Sequence, residues 1–522
     1  MLGIVAASCT DLDVEPKSKA TGNVIFNNPE AYKQFLAKLY AGLSVSGQQG
    51  PAGDADIKDI DEGFSSYLRQ YWVAQELTTD EAVIGWNDGT LPTYALHTWT
   101  AQNEFINAIF NRIYFQISLA NEFLRETTEE KLAGRNTTEE TKANVLRYRA
   151  EARFLRAFSY WHGLDMFRNI PLVTENNLVG GDAPGPATPS QLFEYIEAEL
   201  KAIEADLAAP RTNEYGRADR AAAWMLLAKL YLNAEVYIGA PKYTECLTYV
   251  KKVIDEGGYS LDPNYQRLFM ADNMESDEII FTINFDGLHS QSYGGMTFLI
   301  KAAIGGSMKP TDYGVNEGWS GLRTTANLVD LFPDETGTID SRAIFYTAGQ
   351  TKDIPDQPTA GFTQGYAVPK FRNTISTGGI GKNPQYPDTD FPVFRLADAY
   401  LMYAEAVLRQ GQGGSLAEAR NYINQIRQRA YGDNTGAVQE SDITLNFIID
   451  ERARELYWET HRRTDLVRFG LFTKSADGNA RAVWPWKGNI AQGKETEPHR
   501  DVFPIPSSQL IANPKLKQND NY

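Results

Sequence analysis

The residues of this sequence best suited to binding chemistry lie within 79–92, where a tryptophan meets a turn signal. A short apolar run leads to Trp86, and Asn87, Asp88 and Gly89 follow it directly. Asn and Asp tolerate the left-handed backbone region and Gly adopts it freely, so this triplet predicts a chain reversal. An indole face beside short polar side chains suits a ligand with one apolar face and a polar rim, such as a sugar ring. The alternative is that Trp86 packs beneath the turn, because tryptophans are on average highly buried.

The sequence carries no signature of catalysis. It contains no Walker loop, no dinucleotide-binding fingerprint and no Gly-x-Ser-x-Gly nucleophile elbow. The five histidines are scattered, without His-Glu-x-x-His spacing: His97, His162, His289, His461 and His499. His461 and Asp465 are four residues apart, but Arg462 and Arg463 beside them predict a solvated, ion-paired helix end. A carboxylate pair for glycoside hydrolysis stays open as an alternative, because the separation of such a pair depends on the fold.

Two acidic clusters, within 54–62 and 272–278, raise the question of a metal. Neither follows the calcium-loop pattern, since Lys58 takes a would-be ligand position in the first. We therefore expect both clusters to be solvated loops, and we expect no metal and no cofactor. Asp61, in the first cluster, is a weaker candidate for accepting the hydroxyls of a ligand.

Composition limits the class of partner. The chain has 522 residues with 50 basic and 67 acidic side chains, a formal net charge of −17. A field of that sign repels phosphate backbones, which argues against nucleic acid and fits a neutral ligand. The 27 Tyr, 25 Phe and 9 Trp residues leave some aromatic rings to spare for a surface. No apolar run approaches the ~18–20 residues that a membrane helix requires.

The sequence has only two cysteines, Cys9 and Cys246, so it contains no disulfide framework. The residues around Cys9 indicate a lipid anchor instead. Residues 2–8 are apolar and then small, and a polar stretch follows Cys9. This order resembles the end of a bacterial lipoprotein signal, although its basic and longer apolar regions are missing. We expect 1–8 to be the remnant of a clipped signal, Cys9 to be lipidated, and 9–25 to be a tether. The alternative is an ordinary cysteine in a disordered tail.

Most of the chain outside the loops has apolar residues at intervals of three and four, which predicts helices. The predicted helices are Asn27–Leu43, Asn103–Phe123, Val145–Phe167, Leu192–Leu207, Asp219–Tyr237, Tyr243–Asp255, Phe394–Gln410, one that begins at the Ser415 capping box, and Leu445–Trp458. They come as consecutive pairs with short connections. The fold class predicted is therefore mostly α, with a tetratricopeptide-like helix-pair scaffold formed mainly by 101–257 and 393–470.

Residues 258–392 differ in kind, because they are rich in Gly, Pro and Asp and have few long periodic segments. Short strands are predicted at Glu278–Asn284 and Tyr366–Arg372. A loop-dominated insertion of this length usually carries function. We expect 44–100 and 258–392 to form a loop-rich ligand lobe within a single domain, 26–522.

Five stretches of the sequence together resemble one protein family. They are Ala152–Phe158 with Ile170–Leu172, Gly216–Ala222, Phe394–Tyr400, Glu451–Leu456 with Arg463–Gly470, and the tail Pro504–Tyr522. Occurring in this order, they identify the chain as similar to the SusD-like (RagB/SusD) outer-membrane glycan-binding lipoproteins over essentially its full length. The resemblance implies a protein on the extracellular face of the outer membrane, anchored through Cys9. It also implies capture of oligosaccharides, without catalysis, for a SusC-like TonB-dependent transporter.

The resemblance also implies a set of binding residues. In the starch-binding branch of the family, an aromatic arc with polar neighbours holds the glycan. Trp86 matches its first tryptophan, and Tyr293 and Trp319 match its Tyr-Gly-Gly and Gly-Trp-Ser segments. Arg69, twelve residues before Glu81, matches an arginine of the same pattern.

The chain departs from the starch-binding pattern at Gly89, where the pattern has asparagine. Asn87 or Asp88 could take its place, so the resemblance leaves open which neutral glycan is bound, an α-glucan or a fructan among them. Arg372 is added on chemistry alone, because guanidinium donors bridge sugar hydroxyls well. Two other classes of protein stay open: a helical glycoside hydrolase, and a tetratricopeptide-type scaffold with protein ligands.

Overall fold

The computed structural model of the chain describes residues 26, 28–51, 53–57, 60–177, 180–476 and 481–522. The expectations for the signal remnant 1–8, for Cys9 and for the tether 9–25 lie outside these residues.

The described residues form a mostly α structure, as the sequence predicts. Its helices are α1 (Glu30–Ser44), α2 (Tyr67–Glu76), α3 (Glu104–Glu126), α4 (Glu129–Gly134), α5 (Glu139–Phe167), α6 (Pro189–Ile203), α7 (Arg220–Leu232), α8 (Ala234–Ile238), α9 (Tyr243–Glu256), α10 (Gly295–Ala302), α11 (Ala326–Val329), α12 (Leu396–Leu408), α13 (Leu416–Tyr431), α14 (Leu445–Leu456), α15 (Arg462–Arg468) and α16 (Ser507–Ala512). Its strands are β1 (Val83–Ile84), β2 (Ile279–Ile283), β3 (Leu322–Arg323) and β4 (Phe391–Arg395).

Consecutive helices pack against each other around one main core. Helix α3 packs on α5, α5 on α6, α7 on α9, and α12 on both α9 and α13. Helix α5 is central, because every residue from Phe154 to Phe167 is buried. None of the helices in the described ranges is both long enough and apolar enough to cross a bilayer.

Side-chain caps set several helix boundaries. Asn103 accepts a hydrogen bond from the Ile106 amide (2.8 Å) at the start of α3, and Ser415 accepts one from the Glu418 amide (3.2 Å) at the start of α13. The single helix predicted for Asp219–Tyr237 is wrong, because the chain breaks at Asn233. The Asn233 side chain donates to the Lys229 carbonyl (2.9 Å), and this local bond competes with the helical ladder.

The strands form two antiparallel pairs, β1 with β3 and β2 with β4. Strand β2 confirms the strand predicted at Glu278–Asn284. The prediction of a strand at Tyr366–Arg372 is wrong, since that segment makes only an isolated bridge at Ala367 and contains Pro369, which has no amide donor. The partner of β2 is β4 instead, which takes Phe394 and Arg395 from the helix predicted to begin at Phe394.

Buried ion pairs correct two further expectations. The helix end at 461–465 is ion-paired but not solvated, because Arg463 and Asp465 are 0% and 3% exposed. Glu278, predicted to lie in a solvated loop, is fully buried and accepts hydrogen bonds from Arg395 (2.9 Å) and Arg429 (2.6 Å). A protein tolerates a buried charge when an opposite charge pairs with it and its hydrogen bonds are made. These charged partners are distant in the chain, so the sequence does not show them.

Candidate functional site

The β1–β3 ladder places Trp86 beside Trp319. Ile84 pairs with Leu322, and one residue further the Gly85 amide donates to the Gly321 carbonyl (2.8 Å). The Trp86 indole nitrogen then donates to the Trp319 carbonyl (3.2 Å), and the two ring centroids lie 6.3 Å apart. Backbone pairing between segments distant in sequence thus fixes two neighbouring indoles.

The Trp86 ring is half-buried, between the two alternatives that the sequence allows. One edge packs on Phe298 of α10, with ring centroids 5.7 Å apart. Close packing on another side requires a glycine, since a Cβ on Gly321 would lie 2.6 Å from the indole. The remaining part of the ring is open to solvent.

Tyr293 extends the row of rings. Its centroid lies 6.5 Å from that of Trp319 and 5.8 Å from that of Tyr386. Gly294 lets the chain approach the start of α2, because a Cβ there would lie 2.1 Å from the hydroxyl of Ser66, the residue before this helix. Tyr386 was missed by the sequence interpretation, since it stands in an aperiodic loop where nothing marks it as a neighbour of Tyr293.

Arg69 lies beneath the rings rather than among them. Its guanidinium carbon is 4.3 Å from the Phe298 ring centroid and 5.8 Å from that of Trp86, and the side chain donates to the Gly63 carbonyl (3.2 Å). Burial lowers the pKa of Arg69 to about 10, although Asp88 and Asp61 oppose the shift. Arg69 therefore remains a cation at neutral pH and braces the indole from behind.

Lys301 is a second cation at the rings, and sequence reasoning missed it. Its ammonium nitrogen is 5.5 Å from the Trp319 ring centroid and donates to the Asn316 side chain (2.8 Å). It also pairs with Glu317 at 3.2 Å. No motif in the sequence marks it, because its contact with Trp319 is formed only by the fold.

The triplet Asn87-Asp88-Gly89 predicts a turn that begins at Asn87, but the turn after Trp86 begins at Asp88. The Leu91 amide donates to the Asp88 carbonyl (2.9 Å), while Asn87 and Asp88 are exposed beside the rings. Gly89 has a φ of +47°, and a Cβ there would lie 1.7 Å from Glu104 Oε1. That oxygen accepts the Thr90 amide (3.1 Å), so a glutamate fills the space that a side chain at position 89 needs.

The other two predicted site residues differ in placement. Asp61 is exposed and accepts the Phe64 amide (3.2 Å), and Gly63 beside it lies against Tyr293. Within the part of the chain that the structure describes, Arg372 contacts none of the rings of Trp86, Trp319 and Tyr293. Its Nε donates to the Pro369 carbonyl (3.0 Å) and its guanidinium lies over Tyr313. The strand predicted at Tyr366–Arg372, which would have oriented the Arg372 side chain, does not form.

This surface combines aromatic rings with polar side chains. We call the row of Trp86, Trp319 and Tyr293 the aromatic arc; it offers partly open ring faces with carboxylate and amide groups at their edges. Within the described residues, no group of three or more His, Cys, Asp or Glu side chains could hold a metal ion. The pKa values of four histidines are lowered by burial: His97, His162, His461 and His499.

Comparison with known proteins identifies the family. A family model described as "SusD family" matches residues 346–522, and one described as "Starch-binding associating with outer membrane" matches 12–232. The chain belongs to the SusD family. Over 99% of its length it is 35% identical to the starch-binding protein SusD of Bacteroides thetaiotaomicron, of which it covers 96%.

Solved structures agree on the fold. A SusD homologue from Bacteroides thetaiotaomicron superposes with a TM-score of 0.73 at 20% identity, covering 96% of this chain and 98% of that one. Surface glycan-binding protein A from the same organism, in complex with laminarihexaose, gives 0.69 at 19% identity, covering 94% and 99%. The resemblance and the fold class predicted from the sequence are therefore confirmed.

Proposed function

We propose that this protein binds a neutral glycan on the aromatic arc and delivers it to a SusC-like TonB-dependent transporter, without catalysis. It acts on the extracellular face of the outer membrane, anchored by a lipid on Cys9, and 26–522 form one domain. The observation that carries the proposal is the arc itself, whose three rings stand in one row with their faces partly open.

Physical chemistry supports a sugar as the ligand of the arc. Stacking a sugar ring on an aromatic face removes apolar area from water at roughly 25 cal/mol per Å². The sugar hydroxyls stay at a partly wet rim, where exchanging water for protein gains only about 1 kcal/mol per hydrogen bond. The resulting affinity is modest, which suits a protein that must release its cargo.

The names of the relatives and the net charge support a neutral glycan. One relative is named for starch and a structural neighbour holds laminarihexaose, both of which are uncharged glucans. A net charge of −17 disfavours an anionic ligand. Gly89 stands where the starch-binding pattern has asparagine, and Glu104 fills the space beside it, so both α-glucans and fructans are candidate ligands.

Replacing Trp86 with alanine tests the site. We expect Trp86→Ala to weaken binding of the oligosaccharide at least tenfold, because it removes the ring on which the sugar stacks. Calorimetric titration with maltohexaose, laminarihexaose and a levan hexasaccharide measures the effect. Trp486→Ala is the matched control, since Trp486 is also half-buried and donates its indole N–H to a backbone carbonyl (Ile354, 2.8 Å).

Three outcomes would contradict the proposal. Unchanged affinity in Trp86→Ala would show that the aromatic arc is not the glycan-binding site. Steady release of reducing ends from a polysaccharide panel would show a glycoside hydrolase. A glycan array on which the protein binds nothing would favour a scaffold with protein ligands.

A further inference from the structure

A second concave surface, the Tyr215 groove, lies between helix α1 and the residues that follow β2. It has a volume of about 540 Å³ and is lined by the turn at 214–217, by 282–286 and by one face of α1. Tyr215 and Met274 face it, and these side chains are 49% and 45% exposed. None of the three rings of the aromatic arc lines it.

The Tyr215 ring is held in place although half of its surface is open. Its hydroxyl donates to Asp390 Oδ2 (2.7 Å), and the other oxygen of this buried carboxylate accepts the Phe285 amide (2.7 Å). The backbone is held as well, because Gly216 has a φ of +77° and a Cβ there would lie 2.2 Å from the Asn284 amide. An aromatic ring ordered before its ligand arrives loses little entropy on binding.

The charges around the groove neutralise one another. Lys33 pairs with Glu214 (2.7 Å) at one edge, and Lys382 pairs with Asp286 (2.6 Å) at another. Arg217, which also lines the groove, pairs with Glu151 (2.5 Å), so each cation of the lining already has a carboxylate partner, a setting for a neutral ligand that carries many hydroxyls. A phosphate or a carboxylate would have to displace an existing partner.

Residues 286–293 connect the groove to the aromatic arc. Asp286 and Ser290 line the groove, and Tyr293 of the arc follows three residues after Ser290. Seven residue steps separate Asp286 from Tyr293, so their Cα atoms lie at most about 25 Å apart. A glycan chain longer than this distance has the length to contact both surfaces.

We propose that the Tyr215 groove is a second subsite for the neutral glycan, with Tyr215 as its stacking platform. A long or branched glycan is then held at two points, and its avidity exceeds that of either site alone. This inference rests on the proposed function of the arc. Short ligands occupy the arc only, whereas polymers engage both surfaces.

Affinity electrophoresis in gels containing soluble starch, laminarin or levan tests the second subsite. We expect Tyr215→Ala to weaken retention by the retarding polysaccharide at least fivefold, and Tyr215→Phe, which keeps the ring, to lose less. Binding of the matching trisaccharide (maltotriose, laminaritriose or levantriose), followed by tryptophan fluorescence, should not change in Tyr215→Ala. Ile511→Ala is the control for an exposed apolar side chain, because Ile511 is 82% exposed and lines neither surface.

The outcomes separate this inference from the proposed function. Wild-type retention in Tyr215→Ala overturns the second subsite alone, and so does loss of trisaccharide binding in that variant, since the arc itself would then be disturbed. A wild-type protein retarded by none of the three polysaccharides, or retention unchanged in Trp86→Ala, overturns the proposed function and this inference with it.

Discussion

Gly89 shows how a single residue beside the aromatic arc is fitted to its neighbours. Its positive φ is open to asparagine as well as to glycine, so backbone strain does not explain the choice. The Glu104 carboxylate does, because it occupies the space and accepts the Thr90 amide. The residue at position 89 is thus tied to Glu104, a contact that the sequence alone does not show.

We expect Gly89→Asn to lower the free energy of unfolding by about 1 kcal/mol, because the new side chain displaces Glu104 from the Thr90 amide. In a Glu104→Ala background the same substitution should cost much less, and a double-mutant cycle by urea unfolding measures the coupling. Equal costs in both backgrounds would show that Glu104 does not set the residue at position 89.

At the scale of elements, the pairing of two short strands decides where the tryptophans stand. Strands β1 and β3 are two residues each, yet Gly85 and Gly321 continue their ladder up to Trp86. The absence of a side chain at Gly321 lets the indole settle between this ladder and α10.

We expect Gly321→Ala to weaken glycan binding about five- to tenfold, because its methyl group pushes the Trp86 ring away from Phe298. Such overpacking costs about 1–3 kcal/mol of stability, so the protein should remain folded. Calorimetric titration and thermal unfolding check both effects. Gly134→Ala is the matched control, since a Cβ at Gly134 meets nothing within 4 Å. Unchanged binding in Gly321→Ala would contradict the conclusion that the β1–β3 ladder positions Trp86.

The scaffold helices could be predicted from the sequence because an amphipathic helix repeats its signal over several turns, as in Val145–Phe167. The β1–β3 pair could not, since a strand of two residues has no period and its partner lies far away in the chain. Trp86 was marked by the turn signal that follows it, whereas Tyr293 and Trp319 were identified through the family resemblance. Tyr386 and Lys301 were missed because their relation to the arc exists only in three dimensions.

At the scale of the whole molecule, a buried ionic network ties the loop-rich lobe to the helical scaffold. Arg395, at the end of β4, bonds to Glu278 (2.9 Å), and to Glu455 and Glu459 (2.6 Å each). Arg342 of the lobe likewise bonds to Glu455 of α14 (3.1 Å). The surface that carries the arc is thereby attached by charges that water does not reach.

We expect Arg395→Met to lower the free energy of unfolding by about 3–5 kcal/mol at pH 7, because it leaves buried carboxylates without their partner. Arg211→Met is the matched control and should cost at most about 1 kcal/mol, since the Arg211–Asp277 pair is exposed. Thermal unfolding of both variants measures the difference, and an equal effect would contradict a structural role for the network.

The network also predicts a dependence of stability on pH. Burial alone would raise the pKa of Glu455, but Arg429, Arg395 and Arg342 outweigh it and hold this pKa at about 2. In the unfolded chain a glutamate titrates near about 4.3, so this contribution is present above that pH and is lost as the pH falls towards 2. Melting curves between pH 6 and pH 2 should show this fall. The penalty of Arg395→Met should shrink over the same range, and a constant penalty would contradict it.

The hydrogen bond from the Trp86 indole to the Trp319 carbonyl has a consequence for ligand selectivity. An indole whose only donor is spent on its own protein offers a ligand its flat face and nothing that distinguishes one hydroxyl from another. Under the proposed function, Trp86 would therefore select a glycan by the shape that the sugar chain presents to the ring, and not by a hydrogen bond from the indole.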